Sequence, residues 1–131
     1  MNTACDDVQL ELPPVAESVT QARHAVADLA RALGAPEQDV ALAVSEAVGN
    51  AVQHAFRFGK TGCIKLFAAE VDGELLVIVS DDGVGLVPDL DNPGLGVGTS
   101  LISRLPREAV FESSDTGTTV KMRFELMGRR A

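Results

Sequence analysis

The spacing of apolar residues divides the first half of the chain into a short strand and two long helices. Residues 8–12 alternate between apolar and polar, which predicts a half-buried strand. From 15 to 33 apolar residues recur at helical spacing, and Gly34 is a typical C-terminal stop. A second helix is predicted from 36 to about 58, because proline suits the first helical position and Gly59 ends the pattern.

The second half of the chain reads as strand pairs separated by a loop and a third helix. Four strands are predicted, at 63–71, 74–80, 109–113 and 118–126. Residues 75–79 are continuously apolar, which is typical of a central, covered strand. Between the pairs, 86–93 is rich in Asp, Asn and Pro and is predicted to be a loop. A helix is expected to start near Gly98 and to end before Pro106.

This order of elements predicts the fold class. Strands spaced as hairpins, with helices between the pairs, indicate a two-layer α/β sandwich. We expect a mixed, mostly antiparallel sheet covered on one face by three helices. A chain of 131 residues fits a single domain over 1–131, with 127–131 as a frayed tail.

Composition and charge narrow the classes of function. Hydrophobic residues make up 46% of the chain, which indicates a globular protein. The formal net charge of −8 argues against a nucleic-acid-binding surface, which needs a basic stripe. A bound nucleotide stays compatible with this charge, because backbone amides and a metal ion can hold phosphates. The sequence shows neither an apolar run of membrane-spanning length nor an opening signal peptide.

The second predicted helix carries a carboxylate and a carboxamide four residues apart. Its apolar stripe comprises Val40, Val44, Val48, Ala51 and Ala55, and the opposite face holds Asp39, Leu42, Glu46, Asn50 and Gln53. Glu46 and Asn50 have small or apolar neighbours rather than charged ones. Gly49 costs about 1 kcal/mol of helix stability against alanine, which favours close approach by another group. The alternative is a solvated polar face. His54 beside it, taken alone, fits a structural histidine better than a ligand.

Two glycine-rich segments follow. Asp81 ends a predicted buried strand and precedes Gly83 and Gly85, where the backbone can approach a flat ligand closely. The segment 94–98 leads into a predicted helix whose free N–H groups favour phosphate, with Thr99 at its start. Neither segment is a Walker A loop or a dinucleotide-binding fingerprint. Taken alone, the first also fits a tight turn after a strand.

Together these residues resemble the anti-sigma-factor serine/threonine kinases of the GHKL (Bergerat-fold) ATPase superfamily. The resemblance covers most of the chain and rests on four motifs in order. They are Glu46-x-x-x-Asn50-x-x-x-His54, Asp81-x-Gly83-x-Gly85, Gly96-x-Gly98 preceded by Gly94, and Gly117-Thr118-Thr119-Val120.

The resemblance implies a role for each motif position. Glu46 would be the general base, and Asn50 would ligate Mg²⁺ on the phosphates of ATP. Asp81 would bind the adenine amino group. The remaining nucleotide-binding positions would be His54, Gly83, Gly85, Gly94, Gly96, Val97, Gly98, Thr99 and Thr118. The loop 86–93 departs from the family because it has no Lys or Arg to offer the γ-phosphate, and Arg104 or a partner could supply that charge.

The resemblance also implies a function and partners. The expected protein is an ATP-dependent kinase of the bacterial cytoplasm that phosphorylates an anti-anti-sigma protein and binds a sigma factor, without contact to nucleic acid or membrane. A homodimer is expected as well. One alternative is an ATP-binding partner switch without phosphoryl transfer. The other is a detached histidine-kinase catalytic domain, but His24, the histidine of the first helix, is not followed by an acidic residue.

Overall fold

The computed structural model describes residues 7–57, 63–81, 102, 104–114 and 117–126. The elements in chain order are β1 (Val8–Leu12), α1 (Ala16–Leu33), α2 (Glu37–Arg57), β2 (Ile64–Val71), β3 (Glu74–Asp81), β4 (Glu108–Ser114) and β5 (Gly117–Glu125). Each lies within one or two residues of its prediction. Of the third predicted helix, Ile102 and Arg104 are helical, and the rest lies outside the described residues, as do the loop 86–93 and the tail 127–131.

The five strands form one sheet in the order β1-β2-β3-β5-β4. Every neighbouring pair is antiparallel, where the sequence predicted a mixed, mostly antiparallel sheet. The physical reason lies in the crossover from β3 to β4. These two strands point the same way, but the hairpin partner β5 lies between them, so no parallel pair forms.

The helices α1 and α2 pack on each other and on one face of the sheet. Their buried residues are mostly Ala and Val, and they meet the larger apolar side chains of the strands, among them Leu66, Leu75 and Phe124. The two-layer sandwich is therefore confirmed. No helix in the described part of the chain has the length and apolar character needed to cross a membrane.

Strand β3 is the central strand, as its apolar run predicted. Leu75, Val77 and Val79 are buried under the helices, whereas Leu76 and Ile78 are half-buried on the other face. The continuous apolar run thus reflects a strand with close neighbours on both sides and a helix layer on one face only. We call the face without α1 and α2 the open face.

Turn chemistry sets where the elements end. Gly34 closes α1 in the left-handed conformation, with φ 84°, and Ala35 N–H donates to the carbonyl of Ala30 at 2.9 Å. Asp72 and Gly73 both have positive φ, 54° and 80°, which is the two-residue hairpin turn that an Asp-Gly pair favours. The turn lies at one end of β3, and Asp81 lies at the other end of this strand.

Candidate functional site

The polar face of α2 is positioned by the packing of its other side. Val40, Val44 and Val48 are fully buried, and this fixes the rotation of the helix. Glu46 and Asn50 are consequently half-buried, at the border between the buried and the exposed sides. This confirms the predicted burial pattern of the stripe, although the side chain of Ala55 lies outside the described residues.

Glu46 has no cationic partner in the part of the chain that the structure describes. The described residues likewise contain no cluster of His, Cys, Asp and Glu able to cage a metal ion. A carboxylate at the border of the core, without a Lys or Arg beside it, is an available proton acceptor. The neighbouring carboxamide of Asn50 can ligate a hard cation through its oxygen.

Space lies beside these two residues. Apart from the adjacent residues and the backbone of its own helix, a Cβ atom added to Gly49 would meet no atom of the described chain within 4 Å. Gly49 follows Glu46 by three positions and therefore neighbours it on the helix surface. The close approach predicted at Gly49 is thus not made by the described protein itself, and the space is open to a ligand.

Sequence reasoning did not single out Ser45. Its hydroxyl oxygen is buried and has no hydrogen-bond partner in the described part of the chain. Successive helical residues are about 100° apart, so Ser45 lies on the flank of α2 that faces away from Asn50. It therefore does not join the Glu46–Asn50 pair. A single serine within a helical pattern does not by itself indicate a functional residue.

At the sheet, Asp81 and Thr118 are direct partners across β3 and β5. Two residues earlier in β3 stands the buried Val79, whose partner in β5 is Val120, also buried. Because side chains alternate along a strand, Asp81 and Thr118 share the helix-covered face with this pair. Both are half-buried at the edge where β3 ends.

The ends of α2 and β3 are linked through β2. Strand β2 begins at Ile64, which pairs with Asp81, and only residues 58–63 separate α2 from it. The C-terminal half of α2, which carries Asn50, therefore leads directly to the edge where Asp81 and Thr118 lie. The fold brings the motif of α2, which contains Glu46 and Asn50, and the motif that begins at Gly117 to the same side of the sheet as Asp81.

The remaining predicted nucleotide contacts are outside the described residues. They are Gly83, Gly85, Gly94, Gly96, Val97, Gly98 and Thr99. His54 lies within α2, but its side chain is not among those described. Arg104, the candidate source of positive charge, is described and exposed.

A separate groove lies on the open face of the sheet. Its side chains come from β1, β2 and β3 and include Gln9, Glu11, Lys65, Phe67, Ile78 and Ser80. Ser80 precedes Asp81 in β3 and so points to the opposite face. The groove therefore shares no side chain with the predicted site, and the two faces of the sheet can be tested independently.

An ion-pair network fastens the far edge of the sheet, which sequence reasoning also missed. Arg107 donates through Nε and Nη2 to the two carboxylate oxygens of Glu74, the latter at 3.0 Å, and Glu108 lies near both Arg107 and Arg123. Hydrogen bonds from Arg107 hold the pKa of the Glu74 carboxyl below its usual value. Glu74 and Arg107 are 33 residues apart, so no local pattern could reveal the pair.

Comparison with known proteins decides the family. The pattern of the histidine kinase-like ATPase domain matches residues 12–124. The chain belongs to this family. The resemblance drawn from the four motifs is thereby confirmed at the level of the superfamily, and the two-layer fold agrees with it.

Two relatives point to the anti-sigma-factor kinase branch of this ATPase superfamily. The chain is 30% identical to the Serine-protein kinase RsbW of Staphylococcus epidermidis, over 93% of this chain and 88% of that protein. It is 31% identical to an Anti-sigma F factor of Clostridium botulinum, over 65% of this chain and 68% of that protein. These relatives match the branch that the sequence motifs indicated.

Two further relatives are longer than this chain. The Blue-light-activated histidine kinase 2 of Erythrobacter litoralis is 36% identical over 66% of this chain, which spans 27% of that protein. The crystal structure of the RsbU and RsbW domains of Rv1364c from Mycobacterium tuberculosis matches with a TM-score of 0.70 and 25% identity, over 92% of this chain and 32% of that one. The ATPase domain therefore occurs both alone and inside larger proteins.

Proposed function

We propose that this protein is an ATP-dependent serine/threonine kinase that phosphorylates an anti-anti-sigma protein and controls the availability of a sigma factor. The observation that carries the proposal is the half-buried Glu46, without a cationic partner in the described chain and one helical turn from Asn50. The names of the RsbW and Anti-sigma F relatives support the choice of substrate and partner. The membership in an ATPase family supports the choice of ATP.

The described residues fit a nucleotide with its metal ion. Asp81 and Thr118, paired at the edge of the sheet, offer adjacent polar groups to the edge of an adenine base. Asn50 offers one oxygen, and Mg²⁺ in nucleotide sites is usually held by one or two protein ligands together with phosphates and water. The ion would supply neutralisation of the phosphate charge. The glycine positions 83, 85, 94, 96 and 98 would complete the proposed site.

In the proposed reaction Glu46 is the proton acceptor. The hydroxyl oxygen of the acceptor serine or threonine bonds to the γ-phosphorus, the bond to the bridging oxygen of ADP breaks, and the hydroxyl proton passes to a carboxylate oxygen of Glu46. A carboxylate without an ion-pair partner keeps its lone pairs available for this proton. Arg104 follows the glycine-rich segments in the chain, and its side chain is exposed. We propose it as a source of positive charge for the γ-phosphate.

The decisive experiment replaces Glu46 by glutamine, which keeps the size of the side chain but removes its basicity. Each anti-anti-sigma protein of the source organism is incubated with the kinase, Mg²⁺ and γ-labelled ATP, and Mg-ATP affinity is measured by calorimetry. We expect Glu46→Gln to bind Mg-ATP like the wild type and to transfer phosphate at least about a hundredfold more slowly. The matched control is Glu11→Gln, on the open face, which should leave both quantities unchanged.

A second function is favoured by the loop 86–93, which has no Lys or Arg. In this case ATP would set which partner is bound, without phosphoryl transfer. Wild-type protein that binds Mg-ATP and exchanges partners, but labels none of the acceptors, would establish this second function instead of the first. Partner exchange that depends on Glu46 would reject it.

The proposal extends to assembly and location. We propose a homodimer in the bacterial cytoplasm, where a sigma factor and its regulators meet. Light scattering on the purified protein at micromolar concentration tests the dimer, and a monomer mass across that range would reject it. The same light-scattering measurement after addition of the sigma factor, with and without the acceptor protein, then tests which partner the protein binds.

A further inference from the structure

Leu42 is the exposed apolar residue on the face of α2 that carries Glu46. Its exposed fraction is 48%, and the other large apolar residues that are similarly exposed in the described chain, Val15, Val110 and Phe111, lie elsewhere. Single exposed apolar residues are common and need no explanation by themselves. The position of Leu42 relative to Glu46 is what distinguishes it.

Leu42 and Glu46 are four residues apart and are therefore neighbours on the helix surface. Helical side chains lean toward the N-terminus of their helix, so the Glu46 carboxylate is directed over the turn that Leu42 occupies. Gly49 and Asn50 lie on the C-terminal side of Glu46, where the proposed function places Mg-ATP. Leu42 thus marks the side of the base that is away from the nucleotide.

The geometry of phosphoryl transfer decides what comes to that side. The attacking oxygen approaches the γ-phosphorus roughly opposite the leaving oxygen of ADP. With the phosphates beside Asn50, the acceptor hydroxyl reaches Glu46 from the Leu42 side. A protein that presents this hydroxyl must cover the surface immediately around it, which includes Leu42.

We propose that Leu42 is the docking contact for the acceptor protein and binds an apolar side chain adjacent to the phosphorylated serine or threonine. The inference rests on the proposed kinase function and adds to it a requirement on the acceptor. Between Glu37 and Gln53 the helix has no Lys or Arg, so this surface offers no cation to an acidic segment of the acceptor, and Leu42 supplies its exposed apolar contact. Leu42 is a specificity-determining residue and takes no part in the proton transfer.

The test is a kinetic comparison of Leu42→Gln with the wild type. Glutamine keeps the length and the helix propensity of leucine but removes its apolar surface. The substrates are the purified anti-anti-sigma proteins of the source organism with labelled Mg-ATP. We expect the KM for the acceptor to rise about tenfold, with kcat and the affinity for Mg-ATP unchanged, because a contact made equally in the ground and transition states affects only KM.

Two variants complete the test. Leu42→Met keeps an apolar side chain and should retain the wild-type KM. Val110→Gln also puts glutamine in place of a similarly exposed apolar residue, 40% exposed, on the open face of β4 where it pairs with Lys121. It should leave the KM for the acceptor unchanged, and urea unfolding of all variants checks that they are folded.

The outcomes separate the two proposals. Phosphate transfer by the wild type with an unchanged KM in Leu42→Gln overturns the docking inference and leaves the kinase function in place. A fall in kcat or in Mg-ATP affinity would show that Leu42 belongs to the reaction centre and would also overturn docking. Absence of transfer by the wild type to every acceptor overturns the kinase function and, with it, the docking inference.

Discussion

Asp81 and Thr118 face each other across β3 and β5 at the edge of the sheet where β3 ends, both on the helix-covered face. They come from motifs 37 positions apart in the chain (118 − 81) and meet only because β5 lies next to β3 rather than next to β2. This register brings a carboxylate and a hydroxyl together. Such a pair is suited to recognise the polar edge of a base.

The first prediction concerns Thr118 and its neighbour Thr119. Adjacent residues of a strand point to opposite faces, so Thr118 shares the face of Asp81 whereas Thr119, paired with Ser80, lies on the open face. We expect Thr118→Ala to weaken Mg-ATP binding by about twofold to tenfold, the worth of one neutral hydrogen bond. Thr119→Ala should bind like the wild type in the same calorimetric titration. Equal losses in the two variants would place the effect in the sheet rather than in the site.

The second prediction concerns nucleotide choice at Asp81. A carboxylate accepts a hydrogen bond from the amino group of adenine, and it repels the carbonyl oxygen that guanine carries at the corresponding position. We expect Asp81→Asn to lose about tenfold to a hundredfold in ATP affinity, because a charge-assisted hydrogen bond becomes a neutral one. The affinity for GTP should hold or rise, so the ATP-to-GTP ratio falls. A parallel loss for both nucleotides would contradict a role in reading the base.

The third prediction compares two glycines that both have open space where a Cβ would stand. Gly49 is helical, whereas Gly73 has φ 80° in the β2–β3 turn. Gly49→Ala should raise the free energy of unfolding by about 0.5–1 kcal/mol, and Gly73→Ala should lower it by about 1–2 kcal/mol. Urea unfolding measures both.

The same pair of variants tests the use of the space at Gly49. If ligand fills it, Gly49→Ala will bind Mg-ATP more weakly although it is more stable, because the methyl group takes up space on the helix surface beside Glu46. Gly73→Ala, at the opposite edge of the sheet, should bind Mg-ATP normally. A more stable Gly49→Ala with unchanged affinity would assign the glycine no role in binding.

Local patterns predicted most of the fold because most of it is locally determined. The helical spacing around Val44 and Val48 predicted both the helix α2 and its buried side, and Asp72-Gly73 predicted a hairpin that the structure confirms. The relative direction of neighbouring strands is not determined by local sequence. Whether β5 pairs with β3 depends on the crossover between β3 and β4, and no spacing within either strand reveals it.

Pairs of residues in the candidate site and elsewhere on the sheet also differ in whether local sequence could bring them together. The Glu46–Asn50 pair could be placed on one face of a helix from spacing alone, since both lie on one element. The partnership of Asp81 with Thr118 depends on strand order, and the ion pair of Glu74 with Arg107 depends on the return of the chain to the far edge. The motifs named Asp81 and Thr118 only through the family resemblance, and they did not indicate Glu74 or Arg107. In both cases the fold supplied the pairing.

The fourth prediction concerns pH and the Glu74–Arg107 pair. Hydrogen bonds from Arg107 hold the pKa of Glu74 below its ordinary value of 4.5 in the folded protein, while the unfolded chain restores that value. The unfolded state therefore binds the proton more readily. The pair stabilises the protein above pH 4.5, and this contribution disappears as pH falls from 4.5 through the lower folded pKa.

The variant Glu74→Gln isolates this effect. At pH 7 it should unfold at a lower urea concentration than the wild type, and the difference should shrink as pH falls below 4.5. Because the pair is partly open to solvent, with the Arg107 side chain 45% exposed and the Glu74 side chain 19% exposed, high salt should reduce the difference at pH 7 as well. The matched control Glu11→Gln replaces a carboxylate that makes no ion pair in the described part of the chain, and it should unfold at pH 7 at the same urea concentration as the wild type. A difference that does not shrink as pH falls below 4.5 would mean that the size or packing of the side chain, rather than its charge, fastens Arg107 to the sheet.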